Sequence, residues 1–119
     1  SEIGKQVRAQ ARFVRRELPF TAKFSPQELD EILGTKSAAD LEKEFVVVQG
    51  VADLVVLLPK EIWLMDFKTD DVRADEIGNK VKFYSPQLKL YARALEKIYS
   101  RPVKNCWLHF LSANRTEKI

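Results

Sequence analysis

Cysteine and histidine are almost missing from this chain of 119 residues, which has one of each, Cys106 and His109. A single thiol excludes an internal disulfide, a zinc ribbon and a four-cysteine iron–sulfur cluster, and a reducing, cytoplasmic compartment is the default for such usage. Long hydrophobic runs are missing too. None approaches the roughly 18 residues of a membrane-spanning helix, and Ser1-Glu2-Ile3-Gly4-Lys5 has no signal-peptide character, so no membrane partner is expected. No glycine-rich phosphate loop ending in Lys-Ser/Thr occurs, which leaves the chain without a nucleotide-driven motor of its own. Internal repeats and low-complexity tracts are also lacking. What remains is 45% hydrophobic and 31% charged, ordinary for one globular domain. The net charge of +3 tilts mildly toward a polyanionic partner. The start at Ser1 rather than methionine suggests a piece of a longer protein.

Periodicity supplies a coarse map. Residues Gly4 to Arg16 read as a helix with Val7, Ala11 and Val14 on one face and Arg8, Arg12, Arg15 and Arg16 around it. Glu17-Leu18-Pro19-Phe20 stops that helix and begins an extended segment to Phe24. Ser25-Pro26-Gln27-Glu28 carries an N-cap serine, a first-position proline and a capping-box glutamate, so a short helix is predicted from there to Gly34. Thr35 to Glu44 is polar and reads as irregular or weakly helical. Strands are predicted over 45–58 and 62–68, and the charged stretch Asp70 to Lys80 reads as a mobile loop. A helix follows from Ser85 to Tyr99 with an apolar stripe of Leu88, Tyr91, Leu95 and Ile98, and a last strand from Val103 to Leu111. This order predicts a small mixed sheet with helices packed against it.

Two acids stand out against this background. Asp53 interrupts the apolar run Val46 to Leu58, and Asp66 interrupts Ile62 to Phe67. If Pro59-Lys60 is a two-residue hairpin loop, Leu58 faces Glu61, and the same register sets Asp53 directly opposite Asp66. Lys68 lies two residues on and shares their face. Carboxylates about 5 Å apart repel by roughly 3 kcal/mol at an effective dielectric near 20. A divalent cation with hard oxygen ligands reverses that sign, which makes the pair a candidate metal site.

These residues resemble a known family. Gly50-x-x-Asp53, Asp66-Phe67-Lys68-Thr69-Asp70 and Gln87-Leu88-x-x-Tyr91-Ala92 are similar, in order and spacing, to the consecutive motifs of RecB-type nuclease domains, within the restriction-endonuclease-like, PD-(D/E)XK superfamily. More specifically, Arg16-Glu17-Leu18-Pro19-Phe20, the string from Tyr84 to Glu96, and Pro102-Val103 through Phe110-Leu111 resemble the C-terminal nuclease domains of AddA-type helicase–nucleases. The likeness covers essentially the whole chain. It implies an α/β fold, a restriction-endonuclease-like mixed β-sheet flanked by helices, with residues 1–119 as one nuclease domain. It also implies a Mg²⁺-dependent (or Mn²⁺-dependent) deoxyribonuclease acting in double-strand-break processing and recombinational repair. DNA and a second helicase–nuclease subunit would be its partners. A non-catalytic DNA-binding or scaffolding module of the same fold, and a stand-alone endonuclease, are the alternatives.

The resemblance assigns roles residue by residue. Asp53, Asp66 and the backbone carbonyl of Phe67 would hold the metal. Lys68 would orient or deprotonate the attacking water, or stabilise developing negative charge. Gln87 and Tyr91 would contact the DNA backbone or support the ligands. Glu17 matches a family acidic position, or is a surface residue at the start of a strand. Tyr91 also reads as a core residue with its hydroxyl toward the site, and Gly50 as a plain strand glycine or a point of close approach. His109 reads as a packed, hydrogen-bonded core histidine, Cys106 as a small buried hydrophobe, and the arginines near the N-terminus as a solvated face or as phosphate contacts. RecB-type nucleases also carry a histidine ligand on a helix upstream of the Glu-x-Pro-Phe segment, and no histidine here precedes His109. Either the chain begins after that helix or the site lacks one ligand.

Overall fold

A computed structural model describes residues 1–36 and 45–119. The segment 37–44 lies outside the described residues, and with it most of the stretch read as irregular or weakly helical. Helix α1 (Glu2–Ala9) is capped by the Ser1 hydroxyl, which accepts from the Gly4 amide. A 3₁₀ turn (Ala11–Phe13) leads into β1 (Val14–Phe24). Helix α2 (Pro26–Leu33) begins as predicted, with the Ser25 hydroxyl accepting from Glu28 N and the Glu28 carboxylate accepting from Ser25 N. It ends on left-handed Gly34. Strands β2 (Val46–Leu57) and β3 (Ile62–Lys68) form the expected hairpin. A 3₁₀ turn (Ala74–Glu76) and α3 (Ile77–Tyr99) cross over to β4 (Val103–Phe110), which pairs parallel to β3. Strand β5 (Arg115–Lys118) closes a mixed five-stranded sheet of order β1-β2-β3-β4-β5.

Five expectations are corrected. The first helix stops at Ala9, so Arg15 and Arg16 belong to β1, opposite Val55 and Leu54; the pairing of Val14 with Val56 buries more than another helical turn of arginines would. Helix α3 starts at Ile77 rather than Ser85. Pro86 sits inside it and removes one helical donor, at about 3 kcal/mol. Burial of Ile77 and packing of Val81 and Tyr84 on the core oppose that cost, and the same burial, with Val72, orders part of the stretch expected to be a mobile loop. Ile98 is 41% exposed; Ala94 and Leu95 take the buried positions, and Tyr99 continues the stripe. Finally, β4 is not the last strand, because Asn114, with φ 49°, turns the chain back into the short polar strand β5.

The sheet has two covered faces. On one, α3 packs through Leu88, Ala94 and Leu95 against Phe20, Ala22, Phe24, Val55, Leu64, Leu108 and Phe110. On the other, Val7 of α1 packs against Leu54, Val56, Met65 and Trp107. An uninterrupted strand would put Val14, Leu18 and Phe20 on one face. Val14 instead lies with the α1 cluster, and Leu18 and Phe20 with the α3 cluster. The alternation reverses at Glu17, whose φ is 48°. Strand β2 reverses too, with Ala52 on the α3 face and Leu54 on the α1 face. Asp53 sits at that reversal.

Candidate active site

Over its paired length the hairpin register is the one the sequence predicts, but the expected pairing of Asp53 with Asp66 lies just beyond that length and is not formed. Leu57 pairs with Ile62, Val56 with Trp63, Val55 with Leu64 and Leu54 with Met65, and the Leu58 amide closes the turn onto the Glu61 carbonyl. Beyond Leu54 and Met65 the two backbones stop pairing, and β2 continues paired to β1 alone. The Asp53 carboxylate fills the gap: its Oδ2 accepts from the Phe67 amide at 2.8 Å. A strand residue directs its N–H and C=O to the same neighbouring strand, so the Phe67 carbonyl also faces this opening.

Asp66 and Lys68 lie on the α3 side, where Lys68 Nζ is 2.8 Å from Asp66 Oδ2, with side chains 19% and 14% exposed. Burial pushes the Asp66 carboxyl above the usual carboxylate range; Lys68 opposes this, and the neighbouring Asp53 reinforces it. The arrangement is a partly dehydrated carboxylate pair with one ammonium beside it. Such a pair gains by binding a cation and loses by standing alone.

The other predicted residues are placed differently. Tyr91 packs edge-on to Phe20, with ring centroids 4.8 Å apart, and its hydroxyl lies over Gly50. A Cβ at Gly50 would come within 2.7 Å of that hydroxyl and of the Phe20 ring, so Gly50 is a point of close approach by Tyr91. Gln87 is exposed on α3. The Glu17 side chain is exposed, although the pairs Arg16–Leu54 and Leu18–Ala52 set its backbone opposite Asp53. Among the described residues, no hydrogen bond or ion pair joins Gln87, Tyr91 or Glu17 to the Asp53–Asp66–Lys68 group. His109 is on the α1 face, bonded through Nδ1 to Thr116 Oγ1 at 2.7 Å and edge-on to Phe67. Burial and the Asp66 charge push the half-buried Cys106 thiol up to about 12, an inert thiol at neutral pH. Among the described residues, Arg15 bonds only to the nearby carbonyls of Arg12 and Val14.

Sequence reasoning missed Tyr84 and Asp70. The Tyr84 ring lies 4.3 Å from Lys68 Nζ, and its hydroxyl donates to the Asp70 carboxylate at 2.9 and 2.7 Å. The signal was available in part: Asp70 ends the Asp-Phe-Lys-Thr-Asp string, and Tyr84 lies three and seven residues before Gln87 and Tyr91 on one helical stripe.

Comparison with known proteins places the chain in a family. The family model described as the PD-(D/E)XK nuclease superfamily matches residues 2–118. A protein of Bacillus cereus that carries the name of an ATP-dependent helicase/nuclease subunit is 37% identical over 126 aligned positions, covering 100% of this chain and 10% of that protein. Its namesake in Bacillus thuringiensis subsp. konkukian is 36% identical with the same coverage. The chain thus spans about a tenth of the length of the curated relatives it matches.

Proposed function

This chain belongs to the PD-(D/E)XK nuclease superfamily, and from that premise we propose that it is the Mg²⁺-dependent DNA nuclease domain of a longer ATP-dependent helicase–nuclease. The proposed work is exonucleolytic trimming of single strands during double-strand-break processing and recombinational repair, in the cytoplasm, together with a second helicase–nuclease subunit. The observation that carries this reading is the convergence of Asp53, Asp66 and Lys68 where β2 and β3 part.

The donor set fits a hard divalent cation. Two carboxylates and a backbone carbonyl facing one gap offer oxygen alone, with no thiolate or imidazole among them. Among the described residues, no group of three or more His, Cys, Asp or Glu side chains is placed to hold a metal. A cation held by Asp53, Asp66 and the Phe67 carbonyl would keep further positions for water and a DNA phosphate, as Mg²⁺ prefers and Mn²⁺ accepts. When bound, the ion supplies Lewis acidity and lowers the pKa of water next to it.

The chain's own residues do the rest. Asp53 is fixed by the Phe67 amide, so its free oxygen is aimed without further reorganisation. The Lys68 ammonium stands beside Asp66, where it can hold the attacking water or a phosphate oxygen and meet the negative charge that develops there. Gln87 and Tyr91, on the flanking helix, and Glu17, across from Asp53, are proposed to contact the DNA strand or to support the ligands. The test is cleavage of labelled single-stranded DNA with Mg²⁺ or with chelator, for the wild type, Asp66→Ala and Lys68→Ala. Cutting that needs Mg²⁺ and is lost in both variants is expected; cutting that survives both, or survives the chelator, sinks the reading. Binding of DNA without any cleavage would favour the non-catalytic module.

A further inference from the structure

Lys68 is held by more than its carboxylate. Its ammonium lies 2.8 Å from Asp66 and 4.3 Å from the centre of the Tyr84 ring. Tyr84 is itself tethered by the two bonds from its hydroxyl to Asp70. The Asp70 carboxylate is met by Lys80 at 3.2 Å, and its carbonyl accepts from the Ser112 hydroxyl at 2.6 Å. The ring is thus fixed from β3's end, from α3 and from the turn after β4.

We infer that Tyr84 is a positioning residue that acts through Lys68, seating the ammonium when Asp66 turns to a cation. The inference rests on the nuclease reading above. A lysine whose only anchor is a metal ligand loses that anchor when the metal arrives. A second carboxylate near Lys68 would restore it and also compete for the ion. The face of an aromatic ring attracts an ammonium without bringing a charge. The formal charge at the tether is offset one step away, at Lys80 and Asp70, and leaves the metal gap to Asp53 and Asp66.

The experiment compares Tyr84→Phe and Tyr84→Leu with the wild type, and Asp66→Ala serves as the control for the nuclease reading itself. Tyr84→Leu is expected to lower kcat about ten-fold, with KM for single-stranded DNA within about two-fold and thermal melting retained. Tyr84→Phe keeps the ring and is expected to lose no more than about three-fold. In NMR spectra the Lys68 ε-protons are expected upfield of those of exposed lysines, shifted by the ring, in the wild type and in Tyr84→Phe but not in Tyr84→Leu. Wild-type kcat in Tyr84→Leu, equal losses in Phe and Leu, or unshifted ε-protons in the wild type would overturn the inference. Should the Leu variant not fold, the ε-proton shift in the wild type and Tyr84→Phe decides alone. Full cleavage by Asp66→Ala would instead remove the nuclease reading, and the ε-proton shift would still report whether the ring seats the lysine.

Discussion

Strands β2 and β3 form one hairpin whose two ends solve opposite problems. Near the turn, Val55, Val56, Ile62 and Leu64 are between 0% and 1% exposed, and their backbones are paired. Burying such side chains fully is worth about 1.5–3 kcal/mol each. At the far end the backbones part, and Asp53 substitutes a side-chain oxygen for the missing strand partner of Phe67. Asp66 stays partly dehydrated beside it, balanced by Lys68. The dry end holds the open end in place, and the open end contributes little to folding in return. On the proposed function, stability and chemistry would therefore be separable along a single pair of strands.

The sharpest way to break the comparison is at the open end. Asp66→Ala is expected to lower single-turnover cleavage about 10³-fold or more, while melting changes less than in a core truncation, because relief of a dehydrated carboxylate is offset by leaving Lys68 without its partner. At the closed end the expected result is reversed. Leu64→Ala should cost about 2–5 kcal/mol in urea unfolding and leave the folded fraction able to cut. If Leu64→Ala abolished cutting by fully folded protein, the two ends would not be separable.

Much of this division was legible before any coordinates. The Pro59-Lys60 break was enough to set the register, because side-chain period two leaves a hairpin with a two-residue loop one pairing. The capping box at Ser25 and Glu28 and the left-handed Gly34 were equally local signals. Long-range packing was not legible. Helix α3 runs through Pro86 because Ile77, far along the chain from its partners, is buried. The reversal at Glu17 involves an exposed residue with none of glycine's freedom, so nothing local marks it. The tether from Tyr84 to Asp70 spans a loop whose path only packing determines.

Gly50 sharpens the picture between the two ends. Gly50→Ala would drive a methyl into Phe20 and Tyr91 at 2.7 Å and should cost about 1–3 kcal/mol by thermal or urea unfolding. Near-UV circular dichroism of the Tyr91–Phe20 pair should change with it. An unaltered stability would mean that this packing is loose.

The smallest expected effect is in pH. Burial raises the folded pKa of Asp66, so the folded state holds its proton where the unfolded chain releases it. Stability from this group is therefore present below the unfolded value and falls as pH rises from there through the raised folded value. Without divalent ions, the urea midpoint of the wild type should drop across that window, and Asp66→Asn should flatten the drop. A midpoint with the same pH slope in both proteins would show that Asp66 is as well solvated as a surface acid.

The most direct test is an anomalous-scattering map from crystals soaked in Mn²⁺ at concentrations that support cleavage. One manganese in direct contact with Asp53, Asp66 and the Phe67 carbonyl is the expected result. Manganese bound elsewhere, or none between these two carboxylates, would contradict the assignment of the parting strands as the catalytic centre.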